Sequence, residues 1–194
     1  MYIINSNNII SVKINLSKRN KEKDIIILGS KNSEGFTQRD DVSCGAIIFR
    51  QFNLRKSNQS NKEYLTLYFK NDEGDYHVIP KGHQKENESK EVCALAEILE
   101  ETDISDLFLF SEVNYSFQMK PTKYNHDVTF KIPTIVYKKL HLYLVKTMEV
   151  KEGISPEGRK LVWQSYEKTL EKIYKEYKPA LIKFENIVKG HSDM

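Results

Sequence analysis

The 194-residue chain carries 30 Lys+Arg against 27 Asp+Glu, a formal net charge of +3, with 39% hydrophobic and 29% charged residues. That length predicts one domain with an appendage, and a mean hydropathy of −0.57 without an apolar run near the ~20 residues of a spanning helix excludes a helical membrane protein. Two cysteines, Cys44 and Cys93, are too few for a disulfide framework or a structural zinc site, and the first residues lack the basic and apolar regions of a secretory signal, so a cytoplasmic location is expected.

Residues 1–40 read as an N-terminal extension. Two Ile-rich segments, Ile9–Ile14 and Ile25–Leu28, flank a polar stretch and predict a hairpin or a pair of edge strands, and Ser30–Gly35 reads as a linker. The main domain is expected over 41–190. Ser43–Arg50 and Tyr64–Phe69 predict strands on either side of an exposed insert at 53–62, and Tyr76–Ile79 predicts a short strand ending at Pro80. Glu88–Thr102 has helical spacing, with Val92, Leu95, Ala96 and Leu99 on an apolar face. Strands follow at Leu107–Phe117, Lys138–Lys146 and Leu161–Trp163. In the tail, Tyr166, Leu170, Ile173 and Tyr177 mark one helix, and Pro179 suits the first turn of another. Interleaved strands and helices imply an α/β or α+β fold.

Chemistry concentrates in residues 80–104. On a helix, positions three and four apart share a face, so Glu97, Glu100 and Glu101 project together. Adjacent carboxylates repel and call for a cation, and oxygen-only ligands suit magnesium or manganese. On the helix alone an ordinary solvated acidic face is the favoured reading, since charge-rich faces are common.

The same stretch resembles the Nudix box, G-x5-E-x7-R-E-U-x-E-E-x-G-U, where U is apolar. Gly82 opens it, Glu88 falls on the isolated Glu, Glu97 and Ile98 on the E-U pair, Glu100 and Glu101 on the E-E pair, and Ile104 on the last apolar position. Ala96 stands where the pattern has Arg, and Asp103 where it has Gly. Pro80–His83 and Ile154–Trp163 further resemble diadenosine tetraphosphate hydrolases, in which a Glu precedes a Trp by six residues, as Glu157 precedes Trp163 here.

The resemblance implies a Nudix-type mixed β-sheet sandwiched between helices, with the N-terminal residues as a β-rich extension. It implies a divalent-metal pyrophosphohydrolase. Gly82, Glu97, Glu100, Glu101 and Glu157 would hold Mg2+ or Mn2+, with Glu88 in support and with Glu97 or Glu157 taking the proton from water. Lys81, His83, Tyr124 and Lys138 are the candidate substrate-binding residues.

Residues 111–148 carry six lysines against two acids, interleaved with Tyr115, Phe117, Tyr124, Phe130 and Tyr137. Such a pattern suits phosphates plus a stacked base, or equally a strand pair with core aromatics and solvated lysines. The expected partner is a small phosphoanhydride, foremost a dinucleoside polyphosphate. Diphosphoinositol polyphosphates, capped RNA, and a binding module joined to a protein partner through residues 1–40 are the alternatives. The family's box arginine orients the glutamates, so Ala96 implies that this support is lost. Asp103 should tolerate the left-handed turn that the family's Gly makes.

Overall fold

The computed structural model describes residues 3–6, 9–12, 19, 23–24, 26–53, 60–71, 74–124 and 132–190. Three strands precede the main domain: β1 (Ile3–Ser6), β2 (Ile9–Val12) and β3 (Ile26–Lys31). Then come β4 (Thr37–Asn53), β5 (Ser60–Asn71), β6 (Gly74–Val78), β7 (Lys81–His83), α1 (Lys90–Thr102), β8 (Leu107–Gln118), β9 (Thr122–Tyr124) and β10 (Thr134–Thr147). The chain closes with β11 (Gly153–Ile154), β12 (Lys160–Gln164), α2 (Tyr166–Lys172), a 3-10 turn at Lys175–Tyr177, and α3 (Lys178–Gly190).

The strands form one mixed sheet in the order β1-β2-β8-β10-β4-β5-β12-β11, with β3 and β7 also on β4, β6 on β5 and β9 on β10. Its axis is the parallel pair β10 and β4, in register from Thr134 opposite Thr37 to Lys146 opposite Phe49. Strand side chains alternate between faces, and both faces of this pair are apolar. Cys44, Ala46, Ile48, Tyr143 and Val145 pack with Cys93, Leu95 and Ile98 of α1. Ile47, Phe49, Leu140, Leu142 and Leu144 pack with Ala180, Leu181, Phe184 and Val188 of α3. The sheet therefore lies between α1 and α3, and each fully buried Leu, Ile or Phe there contributes about 1.5–3 kcal/mol.

Several expectations change in detail. Ser30–Gly35 is not a linker: β3 runs to Lys31, and Gly35 at φ 83° turns the chain into β4, which pairs with β3. The boundary expected at 40/41 falls inside β4, and β3 belongs to the same sheet. The two Ile-rich segments are not each other's partners, since β2 pairs with β1 and β8 while β3 pairs with β4. Lys13, Ile14 and Ile25 at the ends of those segments, the middle of the 53–62 insert, and Phe130 lie outside the described residues.

The helix expected through Tyr177 stops at Lys172. Ile173 is extended (ψ 143°) and buried, and Tyr174 N–H donates to the His77 carbonyl, so the sheet takes the backbone that a longer helix would have used. On α1 the buried face runs through Cys93, Leu95 and Ile98, while Val92 and Leu99 are only half-buried. Ser89 caps the helix by accepting from Val92 N–H, and Asp103 ends it in the left-handed conformation at φ 57°. No helix among the described residues is long and apolar enough to cross a membrane.

Candidate active site

β7 carries Lys81–His83 along β4, with Gly45 opposite Lys81. A Cβ on Gly45 would lie 2.4 Å from the Pro80 carbonyl, so glycine is what lets the two backbones approach. Gly82 has the same role toward α1: a Cβ there would lie 2.0 Å from Glu97 Oε2. Glu97 is thus folded against the Gly82 backbone. Its neighbour Glu101, one turn on, accepts from Lys81 N–H at 3.0 Å. Both carboxylates are buried, although both belong to a charged run that composition alone would place in solvent.

Two guanidiniums divide the acids. Arg159 Nη1 bonds Glu101 Oε1 at 3.2 Å, and its Nη2 meets Glu157 Oε2 at 3.3 Å. Arg19, from the N-terminal extension, meets the other three. Its Nε bonds Glu88 Oε1 at 2.7 Å, Nη2 bonds Glu97 Oε1 at 2.7 Å, and Nη1 bonds Glu100 Oε2 at 2.6 Å. Nη2 also donates to the His83 carbonyl at 3.3 Å. Arg19 is 5% exposed. Burial works against its charge, yet the hydrogen bonds it donates to Glu88 and Glu97, with their negative charges, outweigh this and raise its pKa.

Burial raises Glu97, with Arg19 opposing, and pushes Glu101 up to about 7 against the Lys81 N–H and Arg159. In this arrangement no three acids among the described residues converge as a ready-made metal cage, because the carboxylates turn toward the guanidiniums instead. The donor chemistry still fits a hard divalent cation. Three carboxylates share one guanidinium, every donor is oxygen, and Glu100 Oε1 is buried with no hydrogen-bond partner.

Beside the acids opens a cavity of about 610 Å³. Lys81, Lys138 and Arg159 supply cations to it, and Phe69, Tyr76, Tyr174 and Tyr177 supply rings. Tyr76 stands 5.0 Å from Phe69 and 5.6 Å from Tyr174 between centroids. Of the candidate substrate residues, Lys81 and Lys138 line this cavity. Burial lowers the Lys138 pKa, with Lys81 adding to the effect.

His83 and Tyr124 do not line it. The His83 ring lies 3.2 Å from Asp41, and burial lowers its pKa. Tyr124, on β9, is 46% exposed. Tyr115 and Phe117 pack on the α3 side of the core, which is the structural branch of the basic-aromatic pattern.

Sequence reasoning missed Arg19, Arg159 and the four rings. Arg159 was within reach, two residues from Glu157. Nothing in the sequence signals Arg19, which lies 69 residues from Glu88 and 78 from Glu97.

The fold is shared with solved structures. An Ap4A hydrolase from C. elegans, in a binary complex, superposes with a TM-score of 0.58 at 21% identity, covering 78% of this chain and 99% of that one. A mutT/nudix family protein from Listeria innocua matches at 17% identity and a TM-score of 0.47, over 77% and 94% of the two chains. Neither a family model nor a curated protein matches the sequence. The likeness to the C. elegans enzyme, over nearly all of that chain, shows that this chain has the Nudix fold.

Proposed function

We propose that the chain is a divalent-metal-dependent pyrophosphohydrolase, and that its substrate is a nucleotide phosphoanhydride, foremost a dinucleoside polyphosphate. The observation that carries this reading is the adjacency of two chemistries. Glu97 packs against the Gly82 backbone, and Glu101, which accepts from Lys81 N–H and from Arg159, reaches through these two residues to a cavity that they line and that offers both cations and flat rings. A phosphate chain needs the cations and a base needs the rings. An inositol polyphosphate has no flat face for Phe69, Tyr76 and Tyr174 to meet, which favours a nucleoside. The C. elegans neighbour is an Ap4A hydrolase.

Glu97, Glu100, Glu101 and the Gly82 carbonyl would hold Mg2+ or Mn2+, with Glu157 joining from its loop. The metal, when bound, supplies an electrophilic phosphorus, a more acidic water and charge neutralisation of the leaving phosphate. Lys81 and Lys138 bind the phosphate chain from the cavity side. Arg159, held by Glu101 and Glu157, orients both acids and can face a phosphate. Glu157, with its side chain 46% exposed against 10% for Glu97, is the acid that water reaches and takes the proton from the attacking water.

A panel of dinucleoside polyphosphates, capped RNA and diphosphoinositol polyphosphates, assayed with Mg2+ or Mn2+, tests the reading. Dinucleoside polyphosphates should turn over fastest, and Glu101→Gln and Glu157→Gln should each lose about 100-fold or more in kcat. Full turnover by Glu101→Gln would refute the site, and preference for the inositol compound would refute the substrate.

A further inference from the structure

The motif that defines the site has a gap at Ala96, and the structure brings a guanidinium to the same helical face from elsewhere. On α1, Cys93, Ala96, Glu97 and Glu100 lie on one face, spaced three and four residues apart. Arg19 stands over that face: its Nη2 is 3.8 Å from Cys93 Sγ and bonds Glu97, and its Nη1 bonds Glu100. Ala96 lies inside the patch so bounded and is fully buried. A long side chain at 96 and the Arg19 guanidinium would compete for the same space.

We propose that Arg19 is the positioning residue of the carboxylate set, supplied by the N-terminal extension in place of an arginine on the helix. The proposal rests on the hydrolase reading for its kinetic consequences and on the geometry for its binding consequences. The planar guanidinium fixes three acids at once, which a single ammonium cannot do in the same directions. It takes Oε1 of Glu97 and Oε2 of Glu100. Glu97 Oε2 is left against Gly82, and Glu100 Oε1 is left buried and unpartnered. Glu97 and Glu100 thereby each keep one oxygen clear of Arg19 for a divalent cation, while both oxygens of Glu88 are held, Oε2 by Lys85 N–H.

The segment that delivers Arg19 is itself fastened to the loop before the helix. Glu86 N–H donates to the Lys23 carbonyl at 2.8 Å, Lys85 pairs with Asp24, and β3 then joins β4.

The test is a cycle of Arg19→Ala, Arg19→Lys, Ala96→Arg and the double variant Arg19→Ala/Ala96→Arg. Mn2+ affinity is read by electron paramagnetic resonance, folding by thermal melting, and kcat and KM where turnover exists. Arg19→Ala should weaken Mn2+ binding about 10–100-fold and lower kcat more than it raises KM. Arg19→Lys, which keeps the charge and so the fold, should still bind Mn2+ several-fold more weakly than wild type. Ala96→Arg alone should lower the melting temperature, because two guanidiniums meet one space, and the double variant should recover Mn2+ affinity toward wild type.

Wild-type Mn2+ affinity in Arg19→Lys together with folded Arg19→Ala would overturn the proposal. So would tighter Mn2+ binding in either variant, which would make Arg19 a competitor of the metal. Should the wild type cleave no phosphoanhydride while the Mn2+ cycle behaves as described, the hydrolase reading fails and the positioning role stands.

Discussion

His141 shows how single residues set the response of this molecule to acid. It is 7% exposed on β10, its Nδ1 is 2.6 Å from Ser116 Oγ, and Lys90 and Lys139 lie near it with only Glu91 in opposition. Burial first, then the lysines, lowers its pKa to about 4. The unfolded chain, with an ordinary histidine value near 6.5, takes the proton first as the pH falls. The stability it contributes is therefore complete above about pH 6.5 and is lost on the way down to about 4. His141→Asn, which keeps an acceptor near Nδ1, should remove that slope: the wild-type melting temperature minus the variant's should shrink as pH drops from 6.5 to 4. A constant difference would mean that His141 does not titrate in this way. Glu101, raised toward 7 by its own burial, acts with the opposite sign, so only the difference between the two proteins isolates the histidine.

At the scale of elements, the tail is fastened by a polar contact set into an apolar interface. Tyr64 O–H on β5 donates to Glu185 on α3, and Lys189 approaches the same carboxylate at 3.1 Å. Tyr64 is fully buried, and burial followed by the Glu185 hydrogen bond raises its pKa. Tyr64→Phe keeps the ring and removes the donor, which should cost about 1–3 kcal/mol in denaturant unfolding, because the Glu185 carboxylate stays buried with one partner fewer. A loss below about 0.5 kcal/mol would mean that Lys189 at 3.1 Å and Lys62 at 3.8 Å satisfy Glu185 without the tyrosine.

The elements were legible in the sequence where one period ruled. The box helix and strands β4, β5, β6, β8, β10 and β12 follow from spacing and turn residues, whereas β7, β9 and β11, only two or three residues each, are too short to show a period. The break at Ile173 was not legible, because an apolar residue at helical spacing is claimed by His77 through its backbone neighbour, and that contact lies 96 residues away in the chain. The aromatic cavity wall was illegible for the same reason. Phe69 and Tyr76 come from one hairpin and Tyr174 and Tyr177 from the tail, while the contiguous aromatic run at Tyr115 and Phe117 went to the core. Glu88, Glu97, Glu100 and Glu101, in contrast, sit in one short segment, and the resemblance of that segment to the box, more than helical spacing alone, singled them out.

At the scale of the whole molecule, the extension is part of the domain. β2 adds to β8, β3 adds to β4, and Arg19 enters the acid cluster. A chain beginning at Asp41 would start inside β4, lose the Arg39–Asp41 pair at 2.7 Å and leave three acids without their guanidinium. Its melting temperature should fall by more than about 10 °C, a shift that several kcal/mol produces in a domain of this size. Recovery by added Mn2+ would show that the acids, and not the lost strands, dominate the defect. An unchanged melting temperature would contradict a structural role for Arg19 and β3.

The parallel pairing of β4 with β10 bears also on the order in which the chain assembles. Thr37 meets Thr134 across about a hundred residues of sequence, and a contact that distant is slow to form because the loop must close before the pairing is rewarded. On the ribosome, β4 is complete well before its neighbour in the sheet centre is made. During that interval β3, β7 and β5 can pair along one edge of β4, over residues 37–41, 43–45 and 48–53, while the edge that β10 will take stays open to other chains. The antiparallel additions thus secure one edge of β4 early, and the other edge is the aggregation-exposed one until β10 is made.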